Sequence, residues 1–290
     1  MIHRKPIRKR RKRLPSWFRV EGFHGENFHL VARSINRYRL NTVCKGARCP
    51  NIWECWNNKT ATFMLLGDIC TRGCVFCGVK RGLPAKVDPL ESERVADAAA
   101  EFGLRHAVIT SVTRDDLHDG GAGIFADTIL EIRKRVKGCK VEVLIPDFMG
   151  DESALKKVWY AMPDILNHNL ETVPLLYPLI RPQAIYKRSL DILRRTKEAG
   201  IITKTGIILG LGEEITDIKD VMYDLRKIEC DILTLGQYLP PGREHHPVMR
   251  FYSPEEFEVL KREAEDMGFR HVEAGPLVRS SYHADRYACS

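Results

Sequence analysis

No apolar run in this 290-residue chain approaches the roughly 18 to 20 residues that a membrane-spanning helix needs, so no membrane association is expected. No apolar stretch follows the basic start either, which argues against a secretory signal. The first 20 residues hold no Asp or Glu and nine Lys or Arg, so the net charge of +8 belongs to this arm and the other 270 residues sit near −1. A block of like charge is expected to be a solvated, disordered arm, open to an acidic protein surface. Aromatic residues are not interleaved with the cations of Arg4 to Arg13, and no nucleic-acid-binding module is visible, so no nucleic-acid partner is expected. Serine is scarce there, and no apolar helical face appears, which weakens an organelle transit peptide. An even cysteine count is missing as well. Nine cysteines without a secretion signal, six of them between Cys44 and Cys77, point to reduced, metal-binding thiols in a cytoplasmic protein rather than to disulfides.

What the chain does have is a hydrophobic content of 44%, enough for a substantial core, and two cysteine triplets. Cys70, Cys74 and Cys77 are spaced by four and three positions in Cys-Thr-Arg-Gly-Cys-Val-Phe-Cys. Thiolates select iron–sulfur clusters, zinc or copper(I), and structural zinc wants four ligands, usually as two separated pairs. Three local cysteines on a four-iron cubane leave one iron open. Cys44, Cys49 and Cys55 are more widely spaced, which suits a second cluster better than a zinc finger. Cys139 and Cys230 stand alone beside apolar residues and read as small buried apolar side chains.

Apolar periodicity predicts a short helix over 28–40 and strands near 62–66, 106–111, 141–146, 164–169, 201–209 and 231–236. Helical patterns fall at 91–102, 122–137, 152–161, 186–199 and 215–227. Strands alternating with helices predict an α/β fold, an incomplete (β/α)6 TIM-like barrel with N- and C-terminal extensions covering the open end. A complete eight-unit barrel typically needs about 250 residues, more than the stretch from Thr62 to Gln237 offers. A helix near 254–267 and a strand near 270–274 are expected over the open end. The expected divisions are a basic arm over 1–15, an extension over 16–61, the barrel over 62–237 and a C-terminal extension over 238–290.

Several motifs lie at predicted strand ends, where such barrels carry their active residues. Gly206, Ile208, Gly210 and Glu213 belong to a glycine-rich turn that either lets a ligand approach the backbone or simply connects strand to helix. Asn167, Asn169 and Glu171 end the fourth strand, as ligand-binding groups or as turn and cap residues. Arg181 and Arg188 are candidate carboxylate binders or surface charges. The run from Thr113 to Gly121 contains Asp115, Asp116, His118 and Asp119. It reads as capping, or as an active-site loop, and not as a metal site.

The Cys70 loop, with Phe76 before its last cysteine, resembles the signature of radical S-adenosylmethionine enzymes. Together with the first triplet and Arg279-Ser280-Ser281-Tyr282, the chain from about Trp17 to Ala284 closely resembles the lipoyl synthase family. That resemblance implies two [4Fe–4S] clusters and S-adenosyl-L-methionine as cofactors. Cys70, Cys74 and Cys77 would hold the reducing cluster; Cys44, Cys49 and Cys55, with Ser281 placed ahead of Ser280, would hold an auxiliary one. Contacts to S-adenosylmethionine would come from Asn169, Glu171, Arg181, Gly206, Ile208, Gly210 and Glu213. The implied reaction inserts sulfur at C6 and C8 of a protein-bound octanoyl-lysine, with Cys70, Cys74, Cys77 and Ser281 as the catalytic set. Implied partners are an octanoylated lipoyl domain or glycine-cleavage carrier protein, an electron donor such as flavodoxin or ferredoxin, and iron–sulfur carrier proteins. Sulfur-inserting enzymes acting on biotin precursors or tRNA lack this combination of first triplet and C-terminal motif.

Overall fold

The computed structural model describes residues 13–19 and 25–282. The basic stretch 4–12, His283, Ala284 and Cys289 lie outside the described residues, so expectations about the arm are not addressed by the fold.

Ten strands follow in chain order: β1 (Asn41–Thr42), β2 (Thr62–Leu65), β3 (Ile69–Cys70), β4 (Lys80–Arg81), β5 (His106–Ser111), β6 (Lys140–Leu144), β7 (Ile165–Asn167), β8 (Ile202–Leu209), β9 (Ile232–Gln237) and β10 (His271–Gly275). Eight form one sheet in the order β1-β2-β5-β6-β7-β8-β9-β10, and β3 pairs with β4 apart from it. Only the β1–β2 pair is antiparallel in the large sheet. Helices Glu91–Phe102, Ala122–Arg135, Glu152–Tyr160, Tyr186–Glu198 and Ile215–Lys227 connect successive parallel strands. Strands covered on both faces are apolar nearly throughout, which is why Thr62–Leu65 and Ile232–Gln237 are buried at every position.

All six predicted strands are present, each within about two residues of its expected bounds. The helix expected over 28–40 runs from Glu26 to Arg37, because Arg39 takes a left-handed φ of 52° and turns the chain toward β1. The C-terminal unit does more than cover an opening. Helix Pro254–Asp266, started by a Ser253/Glu256 capping box, delivers β10 into full parallel register beside β9, from His271 against Ile232 to Gly275 against Gly236. A seventh parallel strand thereby satisfies the backbone groups that β9 would otherwise leave bare at an edge.

The sheet does not close on itself, since β1 and β10 are its two ends. Residues 277–282 cross the remaining gap as a strap. Asn51 Nδ2 donates to Leu277 O at 2.7 Å, Thr62 Oγ1 to Ser281 Oγ at 2.9 Å, and Tyr282 OH to both Glu54 oxygens at 2.9 and 3.1 Å. The strap thus ties the C-terminal extension to the N-terminal one.

Val31, Ile35 and Trp56 of the N-terminal extension join the same apolar core as β2, β5 and β6. The lower barrel interior is plugged by Val108, Ile165 and Ile232 packed with Ile202. A Lys204–Glu142 ion pair at 2.8 Å, both side chains fully buried, spans β8 and β6 within the barrel. Cys139 and Cys230 are buried as small apolar residues, and burial pushes their thiols up to about 11 and about 12. Among the described residues no helix is long and apolar enough to cross a membrane.

Candidate active site

A cavity of about 360 Å³ opens at the carboxyl ends of the barrel strands. Cys44, Cys49 and Cys55 line it, as do Cys77 of the second triplet and its neighbours Phe76 and Gly78. Asn169, Glu171, Gly206 and Ile208 also line it, and Arg279, Ser280 and Ser281 enter from the strap. Residues separated by more than 200 positions therefore share one enclosure, as the sequence motifs require.

Local structure explains how each thiol is presented. Thr42 accepts a hydrogen bond from Lys45 N, starting the short helix Val43–Gly46 that carries Cys44. Cys49 N donates to Cys44 O at 3.0 Å, and Cys55 rides on helix Ile52–Asn57, anchored by buried Trp56 against Phe28. Burial pushes the Cys44, Cys49 and Cys55 thiols up, a cost that binding a positive metal centre offsets by taking thiolates. Among the described residues no three His, Cys, Asp or Glu side chains are gathered around one ion position. A single zinc would draw its sulfurs to within about 2.3 Å of one point. Three thiols and the Ser281 hydroxyl lining one cavity are a donor set of the kind an iron–sulfur cluster takes.

In the second triplet, Arg72 N donates to Cys70 Sγ at 3.4 Å and Val79 N to Cys77 Sγ at 3.5 Å. Amide hydrogen bonds to sulfur stabilise added negative charge and tune a cluster's potential. Burial pushes the Cys77 thiol up to about 12 and raises Cys74, against the opposing field of Arg181.

The two serines have different surroundings. Ser281 Oγ accepts from Thr62 Oγ1, on the strand whose Thr62 backbone also hydrogen-bonds the Cys44 thiol. Ser280 Oγ accepts from Asn169 Nδ2 at 3.1 Å, and the same amide donates to Glu171 Oε1 at 3.0 Å. Asn169 Oδ1 is buried without a partner beside Gly206, where an added Cβ would stand 2.9 Å from that oxygen. An unpaired acceptor next to a bare backbone is what a ligand ammonium or hydroxyl would satisfy. Glu171 holds a left-handed φ of 66°, and its N and O are fixed by Gly206 O and Ile208 N. Burial raises its carboxyl, against the cations of Arg181 and Arg279.

Three of the expected ligand contacts have partners within the protein. The Glu213 carboxylate accepts from Gly210 N, Leu211 N and Gly212 N and from Tyr252 OH, so it closes the turn instead of facing the cavity. Gly210, at φ 101°, packs its Cα face on Gln237 and Arg250 O. Arg181 donates to Asn169 O, Leu170 O and Tyr177 OH, bracing the end of β7 from behind. A glycine-rich turn reads the same in sequence whether its glycines face a ligand or a neighbouring loop. Arg188 pairs with Asp147, while Asp115, Asp116 and Asp119 are taken by Arg72, Arg114 and Lys157. The Asp115 loop thus holds ion pairs.

Sequence reading named Arg279 in its motif without a role for its guanidinium, which lies in the field of Cys49 and Glu171, and missed Gly236. An added Cβ at Gly236 would lie 2.1 Å from Val278 O, so only glycine admits the strap. The available signal was its place at the end of β9, one strand beyond Gly206 on β8.

His168, buried, donates from Nδ1 to Ile145 O at 2.9 Å, so the neutral ring's Nε2 accepts from Ser189 Oγ at 3.0 Å. Burial, helped by Arg181, pushes its imidazole from 6.5 down to about 4. Between those values the unfolded chain takes up a proton that the folded chain refuses. The His168 contribution is therefore complete above about pH 6.5 and lost toward about pH 4, amounting to ~3 kcal/mol. Denaturant titrations are expected to show a steeper loss of stability across that window in the native protein than in His168→Gln; equal slopes would contradict the assignment.

Comparison with known proteins matches this geometry. Residues 64–225 match the radical SAM superfamily model, more than half the chain. Solved structures share the fold: methylornithine synthase at a TM-score of 0.55 and 14% identity, covering 72% of this chain and 69% of that one. The FeFe-hydrogenase maturase HydG from Carboxydothermus hydrogenoformans gives 0.55 and 14%, covering 91% and 78%. A radical S-adenosylmethionine enzyme is thus the class that fold and cysteine loop define. Two curated proteins are far more similar in sequence: the lipoyl synthase of Rubrobacter xylanophilus, 54% identical over 96% of this chain and 88% of its own length, and that of Koribacter versatilis, 54% identical over 95% and 91%. The chain belongs to the lipoyl synthase family. It carries the family's function, radical insertion of two sulfur atoms into a protein-bound octanoyl chain, with S-adenosylmethionine and two [4Fe–4S] clusters as cofactors and an octanoylated carrier protein as substrate.

Proposed function

We propose that the two triplets divide this reaction between them across the cavity. Cys70, Cys74 and Cys77 hold the reducing cluster, and Cys44, Cys49, Cys55 and Ser281 hold the auxiliary one. The observation that carries this division is the common cavity, lined by all of the first triplet, by Ser281 and by Cys77 of the second triplet. When bound, one cluster with S-adenosylmethionine supplies a carbon-centred radical able to take hydrogen from an unactivated alkyl chain, and the other supplies sulfur.

The chain's own residues do the rest. Asn169, Glu171, Gly206 and Ile208 orient S-adenosylmethionine: the bare Gly206 backbone admits it and the unpaired Asn169 Oδ1 accepts from it. The strap and the N-terminal extension shield the alkyl chain from water, and fix it within reach of both centres. Ser281 is preferred over Ser280 as the oxygen ligand because its partner Thr62 also bonds the Cys44 thiol through its backbone, which sets Ser281 beside the first triplet, whereas Ser280 bonds Asn169. A hard oxygen among thiolates marks the replaceable corner of a cluster that is dismantled in use.

Residues 16–61 act as the auxiliary-cluster module, 62–237 as the radical barrel and 238–290 as the strap-bearing extension, with 1–15 as a basic arm that steers an acidic carrier domain. The carrier is a lipoyl domain or the glycine-cleavage carrier protein, electrons come from a flavodoxin or ferredoxin, and iron–sulfur carriers restore the auxiliary site. All of this takes place in the cytoplasm. Mass spectrometry of an octanoylated lipoyl-domain peptide, after anaerobic incubation with reconstituted protein, reductant and S-adenosylmethionine, is expected to show the gain of two sulfurs. Absence of any sulfur-containing product would sink the proposal.

A further inference from the structure

Arg72 is the only charged residue within the Cys70–Cys77 loop, and its side chain is 5% exposed. Its guanidinium makes two parallel bonds to Asp115, Nε to Oδ2 at 2.7 Å and Nη2 to Oδ1 at 2.8 Å. Nη2 also donates to Asp147 Oδ1 at 2.5 Å. Asp147, 1% exposed, accepts as well from Met149 N at 3.1 Å and from Arg188 Nη1 at 3.0 Å. Two guanidiniums and two carboxylates therefore balance in charge at the back of the cysteine loop.

Asp147 opens a turn that is costly to make. Phe148, Met149 and Gly150 follow at φ of 42°, 55° and 81°, and the first two are side-chain-bearing residues in the left-handed region. Such conformations persist only where the surroundings over-determine them. Here Phe148 is buried against Gly120 and edge-on to Phe125, at a ring separation of 6.1 Å. The turn sets the Asp147 carboxylate below the loop. Burial would raise that carboxyl, but Arg72 and Arg188 hold it well below the usual carboxylate range.

We infer that Asp147 is a positioning residue for the iron–sulfur loop, acting through the Arg72 guanidinium that it and Asp115 clamp from two sides. Fixing the Arg72 side chain fixes the same residue's backbone N–H, which donates to Cys70 Sγ at 3.4 Å. Thr71 ties the adjacent backbone to Thr113 O at 3.0 Å and accepts from Asp115 N at 3.1 Å, so β5's loop and β6's turn grip the ligand loop together. The planar fork is essential, because a lysine ammonium offers a single point to two carboxylates on different sides. The inference rests on the assignment of a cluster to Cys70, Cys74 and Cys77.

Asp147→Asn and Arg72→Lys, each in the anaerobically reconstituted holoenzyme, test it by the rate of iron release to a ferrous chelator. Electron paramagnetic resonance separates the two centres, since only the cluster that binds S-adenosylmethionine changes its signal when that cofactor is added. The auxiliary cluster serves as an internal reference. Asp147→Asn is expected to release the responsive cluster about tenfold faster, as loss of a charge-assisted hydrogen bond implies, with the auxiliary rate unchanged. Arg72→Lys should match it, and the double variant should be no faster than either. Equal acceleration of both clusters would reduce Asp147 to general stability and overturn the inference, as would native release rates in either single variant. A native protein without any responsive signal overturns the cluster assignment itself, and with it this inference.

Discussion

Cys49→Ala is expected to yield a folded protein that cleaves S-adenosylmethionine and transfers no sulfur. Cys49 and Cys77 line the same cavity. Removing it strips one thiolate from the auxiliary site while leaving the Cys70 loop, its Arg72 anchor and its amide-to-sulfur bonds intact. Iron content should fall from about eight to about four per chain. Sulfur insertion should fall by more than about 100-fold, beyond what loss of an outer-shell partner costs. Formation of 5′-deoxyadenosine should persist. Cys74→Ala is expected to do the reverse, keeping the auxiliary iron and losing cleavage. Iron analysis with chromatography of the nucleoside product checks both, and a Cys49→Ala protein that still makes lipoyl would overturn the division of labour.

Gly236→Ala is expected to be strongly damaging to sulfur insertion. Its added Cβ would stand 2.1 Å from Val278 O and 3.0 Å from Val278 C, and backbone cannot swing aside as a side-chain tip can. The strap must retreat by about 1 Å, carrying Arg279, Ser280 and Ser281 with it. A displacement of that size at reacting groups can cost about 100-fold. Folding should be little affected, since Gly236 does not occupy the left-handed region and alanine suits a strand better than glycine does. The expected result is a thermal midpoint near native with sulfur insertion reduced about 100-fold, read by the mass-spectrometric product assay. Ser281→Ala should share the loss of insertion and of auxiliary iron. Ser280→Ala should instead weaken S-adenosylmethionine binding through Asn169, and identical behaviour of the two serine variants would contradict their separate placement.

The repeating part of the fold was readable because parallel strands buried on both faces announce themselves as apolar runs, and the helices between them by their period. The helix Glu91–Phe102 falls on its expected bounds, and Ile215–Lys227 does so too. The final helix and strand were also visible, but their partner was not. Whether β10 caps the barrel or joins β9 depends on backbone groups left unpaired at an edge, which no local pattern records.

The site divides in the same way. Spacing and residue type singled out the two cysteine triplets, because a cluster's demand for thiolates is local and few other structures call for such spacing, whereas the strap serines stood out only through the family resemblance. Charge, glycine and carboxylate residues were ambiguous, since each serves turns and ion pairs as readily as ligands. Only the tertiary structure could turn Glu213 inward onto Gly210, Leu211 and Gly212, set Arg181 against Asn169 O, and leave Asn169 Oδ1 without a partner. The chemistry was therefore written in the chain; which polar groups remain unspent to perform it was decided by folding, because hydrogen-bond satisfaction is a property of the packed whole.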